Sequence, residues 1–213
     1  MTRRAFLLAG LLAGLLAGLL GLSAPALADD ALLTEIAARV ADSPVLRAEF
    51  SQTKTLAAMR KPFRIAGHFT YARDAGVLWQ VASPYAVTYL IDAHGTVEIG
   101  PDGLRKTRSG REAAGAAQAG QIMQALLSAD LAPLESHFVL DPARVPDGWQ
   151  VTLTPRSAEV ARHLTHITVA GNTAVEQVNI VEAGGDHTEI RFTAIQRDTQ
   201  LNTAEATLFA RPD

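Results

Sequence analysis

The hydrophobic period of the chain shifts from helical to alternating, back to helical, and then to alternating again. Leu32, Leu33, Ile36, Ala37 and Val40 recur at helical spacing within Asp29–Ala41, and Asp42-Ser43-Pro44 stops the run. Leu46, Ala48 and Phe50 then alternate with Arg47, Glu49 and Ser51, which predicts a strand. Ile65, Gly67, Phe69 and Tyr71 alternate in the same way, and Arg73-Asp74-Ala75-Gly76 has the composition of a hairpin turn. Val77, Trp79 and Val81 form the return strand, which Ser83-Pro84 ends. Val87, Tyr89 and Ile91 continue the meander to Asp92-Ala93-His94-Gly95.

From Pro101 to Gly110 the chain is polar and basic, and Ala113–Ala119 is nearly all Ala, Gly and Gln. Ile122, Met123, Leu126 and Leu127 predict one more amphipathic helix. Trp149, Val151 and Leu153 restore a clean period of two. Val178 and Ile180, then Ile190 and Phe192, flank the turn Ala183-Gly184-Gly185-Asp186, and Thr207–Ala210 reads as a last strand. Helix, strands, helical insert and strands in that order predict a mainly β, α+β fold. Its form is one curved antiparallel sheet with helices segregated to one side.

The N-terminus changes the account of where the protein works. Arg3 and Arg4 precede an uncharged Leu-, Ala- and Gly-rich stretch from Ala5 to Leu22, and Ala26-Leu27-Ala28 supplies a small-x-small cleavage site. Residues 1–28 are therefore expected to be a cleavable signal peptide and residues 29–213 a single mature domain in the periplasm. The paired arginines leave both the twin-arginine and the general secretory route open. Zero cysteines exclude a disulfide framework, a thiolate metal site and a lipidated mature N-terminus. A net charge of −3 argues against a general nucleic-acid binder, which would need a basic face.

Catalytic chemistry finds no foothold. There is no Gly-x-Ser-x-Gly elbow, P-loop or dinucleotide glycine fingerprint, so no enzyme activity and no cofactor are expected. His163 and His166 stand three apart without a carboxylate at ligand spacing, so no metal is expected either. Arg105, Lys106, Arg108 and Arg111 form a basic cluster, readable as a contact for an anionic head group or acidic partner, or as a solvated loop. A curved sheet covered by one or two helices leaves a concave apolar face. Phe50, Phe69, Tyr71, Trp79, Val81 and Trp149 are its candidate lining, with plain core as the alternative.

Phe50-Ser51-Gln52, Trp79 with Pro84 five residues on, Asp92 with Gly95, Leu153-Thr154-Pro155, Ile167-Thr168-Val169 and the run Asp186–Phe192 occur in an order that resembles the periplasmic lipoprotein carrier LolA family. The resemblance implies a half-open antiparallel β-barrel with helices forming a lid over its concave face. It implies a monomeric carrier that takes acylated lipoprotein, or another lipid, from an inner-membrane donor complex to an outer-membrane acceptor. It also implies that Arg73, six residues before Trp79 and eleven before Pro84, latches the lid, although Asp74 offers the same arginine a local partner. An envelope sensor or scaffold that uses the same half-barrel to bind a lipid or peptide signal is the alternative.

Overall fold

The computed structural model describes residues 25–40, 43–59, 61–107, 124–125 and 132–211. Among them run eleven strands: β1 (Val45–Thr55), β2 (Phe63–Ala72), β3 (Gly76–Ser83), β4 (Val87–Asp92), β5 (Gly95–Ile99), β6 (Arg105–Thr107), β7 (Phe138–Val145), β8 (Gly148–Pro155), β9 (Leu164–Gly171), β10 (Val175–Glu182) and β11 (His187–Asp198). The helices are α1 (Pro25–Val40), the single turns α2 (Ala132–Glu135) and α3 (Ala158–Ala161), and α4 (Thr203–Phe209).

All eleven strands belong to one sheet in the order β6-β5-β4-β3-β2-β1-β11-β10-β9-β8-β7, and every neighbouring pair is antiparallel. Two meanders of consecutive hairpins, β1–β6 and β7–β11, are therefore joined by the single β1–β11 ladder. The sheet does not close on itself, since β6 and β7 end the order. This is the single antiparallel sheet that the period-two pattern predicts, in the half-open form that the family resemblance implies.

Period-two alternation gives the sheet two apolar faces. On the inner face Leu46, Ala48 and Phe50 of β1 pack with Phe69 and Tyr71 of β2, Val77 and Val81 of β3, Trp149, Val151 and Leu153 of β8, and Ile190 and Phe192 of β11. Leu33, Ile36 and Val40 of α1 close over this layer, joined by Ala125 and Leu134. Each such side chain contributes about 1.5–3 kcal/mol on full burial. On the outer face Leu78, Leu90, Val97 and Ile99 form a smaller cluster under Leu208 and Phe209 of α4.

Two glycines are required by the backbone. Gly76, at φ 106°, turns the β2–β3 hairpin in the left-handed region that a side chain disfavours. Gly67 lies where the β2–β3 register slips by one residue, and a Cβ there would collide with the Gln80 carbonyl.

The predicted helix at Asp29–Ala41 is observed as α1, and the turns at Arg73–Gly76, Asp92–Gly95 and Ala183–Asp186 are observed where composition placed them. Thr207–Ala210 is not a strand. Thr207–Phe209 are the last residues of α4, because Asn202 caps that helix and forms a reciprocal capping box with Glu205. Strands β5, β6 and β7 went unpredicted. The Ala113–Ala119 segment and most of the predicted helix at Ile122–Leu127 lie outside the described residues, save Gln124 and Ala125, which are helical.

Candidate functional site

The inner face is built around four aromatic rings from β1, β2, β3 and β11. Phe50 and Trp79 have ring centroids 4.1 Å apart, Phe69 meets Trp79 edge-on at 5.8 Å, and Phe192 lies 5.3 Å from Phe69 and 6.1 Å from Trp79. The ladders explain the arrangement. Trp79 is opposite Phe69, whereas Phe50 is opposite Gly67, so the missing side chain at Gly67 leaves room for the indole to reach diagonally across β2. Edge-on pairs of this kind add about 0.5–1.5 kcal/mol beyond the area they bury.

Burial along the strands is not uniform. In β2 the residues Phe69–Ala72 are buried and Phe63, Arg64 and Ala66 are exposed; in β3 Gly76–Leu78 are buried and Ala82–Ser83 exposed. In β10 Val175 is buried, while Ile180–Glu182 are partly open. The buried ends all lie where α1 enters the sheet through Ser43–Val45. There Glu35 pairs with Arg144 of β7, and Arg197 of β11 donates to the Arg39 carbonyl. At the opposite end Ile65, Leu140, Leu164 and Ile180 pack against the core but remain only partly covered. The apolar inner face is thus sealed at the α1 end and opens toward the other, which we call the mouth.

Of the predicted lining, Phe50, Phe69, Tyr71, Val81 and Trp149 are buried and Trp79 is half-buried. Phe50, Phe69 and Trp79 come together in the aromatic group. Trp149 belongs to the same apolar layer but stands at the α1 end, its indole N–H donating to the Asn172 carbonyl at 2.7 Å. Arg73 is exposed in the β2–β3 turn, its backbone N–H donating to the Pro44 carbonyl at 2.9 Å. Its expected acceptors between Ala113 and Leu127 lie outside the described residues, save Gln124 and Ala125. Arg105 turns to α4, where Nη2 donates to the Thr207 and Leu208 carbonyls at 3.0 and 3.1 Å. Lys106 is exposed on β6, and Arg108 and Arg111 lie outside the described residues. His163 and His166 belong to no group of three metal-ligating side chains among the described residues.

The outer face carries a polar centre that the sequence reading missed. Arg47 donates to both Glu205 carboxylate oxygens at 2.6 Å and to Asp198 at 2.9 Å, and Thr70 donates to Glu205 at 3.4 Å. Arg47 holds the Glu205 carboxyl below the usual carboxylate range, chiefly through these hydrogen bonds, against the opposing effect of burial. Glu205 in turn raises the Arg47 guanidinium. A cleft of about 380 Å³ adjoins this centre, lined among others by Glu49, His68, Gln80 and Gln196, and by Ala194 at φ 49°. The legible signal was Asn202-x-x-Glu205, a capping-box spacing.

No match is found among curated proteins. The similar solved structures include a DUF1329 family protein from Desulfovibrio piger, 12% identical, covering 84% of this chain and 96% of that one with a TM-score of 0.47. They include a domain described as an outer membrane lipoprotein-sorting domain from Vibrio parahaemolyticus, 10% identical, covering 87% and 100% with a TM-score of 0.49. A LolA superfamily protein from Nitrosomonas europaea is 8% identical, covering 86% and 97% with a TM-score of 0.46. The family model described as outer membrane lipoprotein carrier protein LolA-like matches residues 23–208. With nearly the whole chain matched and the open antiparallel sheet in place, the chain belongs to the LolA-like family.

Proposed function

We propose that the protein is a periplasmic carrier that holds the acyl chains of a lipoprotein, or of another lipid, against the inner face of its sheet. It catalyses no reaction and works as a monomer between an inner-membrane donor and an outer-membrane acceptor. The observation that carries this reading is the burial gradient: one continuous apolar layer, sealed by α1 at one end and only partly covered at the mouth. Removing each methylene from water is worth about 0.8 kcal/mol, so a sixteen-carbon chain amounts to roughly 12 kcal/mol. A lipid leaves a bilayer only if an equivalent apolar surface receives it. The aromatic group and its aliphatic neighbours are such a surface, and the covering segments must move for it to become fully available.

The two tryptophans allow a direct test. Trp79 stands within the aromatic group and Trp149 at the sealed end, so a Trp149→Phe variant leaves Trp79 as the sole indole reporter. Titration with brominated stearate is expected to quench Trp79, and native mass spectrometry of protein purified from its own periplasm is expected to show acyl-bearing adducts. An unquenched Trp79 together with adduct-free protein would remove the carrier reading. The latch role that the family resemblance gives Arg73 is tested with Arg73→Leu, which should speed ligand release; unchanged release leaves Arg73 a turn residue.

A further inference from the structure

The mouth has a rim of its own. Among the described residues, the large apolar side chains most open to solvent are Met59 at 48%, Phe63 at 56%, Tyr85 at 63%, Leu104 at 72% and Val139 at 46% exposure. The topology brings all five to the same end of the sheet. Met59 lies in the β1–β2 connection and Phe63 opens β2, Tyr85 is at the β3–β4 tip, Leu104 closes the β5–β6 turn, and Val139 follows the start of β7. This is the end opposite α1, where the inner face is least covered. Soluble proteins rarely gather exposed apolar groups in this way without a surface to meet.

Two of these tips, Met59 and Leu104, are held in place by their turns. The Met59 N–H donates to the Leu56 carbonyl at 3.0 Å, and the Ala57 N–H to Asp186 at 2.9 Å. The Leu104 N–H donates to Asp102 at 3.1 Å, while its carbonyl accepts from Gly100 at 2.9 Å. The charges beside them divide by sign. Asp102 and Asp186 each accept one of these backbone N–H groups, and Glu182 pairs with Lys54 at 2.7 Å. Lys61 and Arg64 flank Phe63, and Lys106 stands two residues after Leu104; all three are exposed. A chain of net charge −3 thus presents apolar tips and cations together at one end.

We propose that this rim docks the protein on the surface of an anionic phospholipid bilayer, with the mouth facing the membrane. Apolar and aromatic tips set among lysines and arginines enter the headgroup region, where the cations meet lipid phosphate. A protein partner would find the apolar tips equally attractive, but the exposed Lys61 and Arg64 on either side of Phe63, with Lys106 near Leu104, favour an anionic sheet of charge. The contact adds to the carrier reading without depending on it. A docked mouth would let an acyl chain pass between bilayer and inner face without crossing water.

The test is flotation of the mature protein, freed of ligand, with vesicles of phosphatidylcholine alone or with added phosphatidylglycerol. Binding to the anionic vesicles is expected, weakening as salt rises. Lys61→Glu with Arg64→Glu should weaken it by at least about fivefold per cation. Phe63→Ser, Tyr85→Ser and Leu104→Ser together should weaken it at least tenfold. All five substitutions lie at exposed positions, and unchanged thermal melts will show that the fold persists. The triple variant should match the parent in Trp79 quenching by brominated stearate, which separates the rim from the inner face. Failure of the parent to float, equal binding to neutral and anionic vesicles, or quenching in the triple variant that differs from the parent's would overturn the proposal. So would a parent dimer, seen by sedimentation without lipid, that the triple variant abolishes.

Discussion

Two helices cover the two faces of this sheet, and they are attached by different chemistry. The first, α1, meets the inner face through Leu33, Ile36 and Val40, and its polar ties, Glu35 with Arg144 and Arg197 with the Arg39 carbonyl, are exposed. The second, α4, seats Leu208 and Phe209 on the outer cluster and is fixed there by directed, charge-assisted bonds from Arg47, Arg105 and Arg211, the last reaching back from just past the helix to Asp92 at 2.6–2.7 Å. Apolar contact has no direction, so another apolar surface can replace it at little cost. A bidentate arginine pair has fixed geometry and leaves a buried charge behind when it breaks. On the carrier reading proposed above, the cover that would exchange with an acyl chain is the one held without direction.

The largest effect should come from weakening the apolar cover. Leu33→Ala with Ile36→Ala is expected to cost about 4 kcal/mol or more. Amide exchange should rise throughout α1 and leave α4 protected. Loss of protection in both helices alike would break the distinction.

Next comes the polar centre. Glu205→Gln keeps the shape but removes the charge from a site only 10% exposed, and should cost about 2–3 kcal/mol. The sign in acid follows from the lowered carboxyl. A group whose folded value lies below its unfolded value stabilises the protein at neutral pH, and that stability is lost as the pH falls through the unfolded and then the folded value. The parent protein should therefore lose stability faster than Glu205→Gln on acidification into and below the ordinary carboxylate range. Parallel curves from chemical denaturation at several pH values would sink this account. Arg105→Ala removes donors from the last carbonyls of α4 and should cost about 1 kcal/mol, confined to exchange in that last turn. Smallest of all, Glu35→Gln removes two exposed ion pairs, to Arg39 and Arg144, and thermal melts should not resolve it from the parent.

The sequence was readable where one face of a strand is apolar and the other polar. Phe69, Tyr71 and Val77 announced β2 and β3 because the inner face is buried and the outer face there is mixed. The unpredicted strands break that rule for physical reasons. In β7, Pro142 argues against a strand, yet β7 ends the sheet order, where a missing N–H is tolerated. In β6 the residues Arg105, Lys106 and Thr107 have no apolar period, since the pairing with β5 alone defines the strand. Strand β5 is the exception: Val97 and Ile99 do alternate with Thr96 and Glu98, but over only five residues, and they belong to the outer cluster instead of the inner layer. The aromatic group was legible as residues but not as a constellation, because its 4.1 Å contact depends on Gly67 and the ladder register. Arg47 reads in sequence as a polar residue on the solvent side of β1; its partner Glu205 lies 158 residues away.

The β1–β11 ladder also governs how the chain must fold. Each meander grows by pairing a strand with its sequence neighbour, which requires closing only short loops. The union of β1 with β11, Phe50 beside Phe192, requires the two extremes of the chain to meet. Contacts of such long sequence separation form slowly and late. Until β11 arrives, β1 exposes a full eleven-residue ladder edge and an apolar face, an invitation to pair with another chain. Refolding should therefore be slow and sensitive to protein concentration, and a holding chaperone would find its natural target in this half-finished sheet.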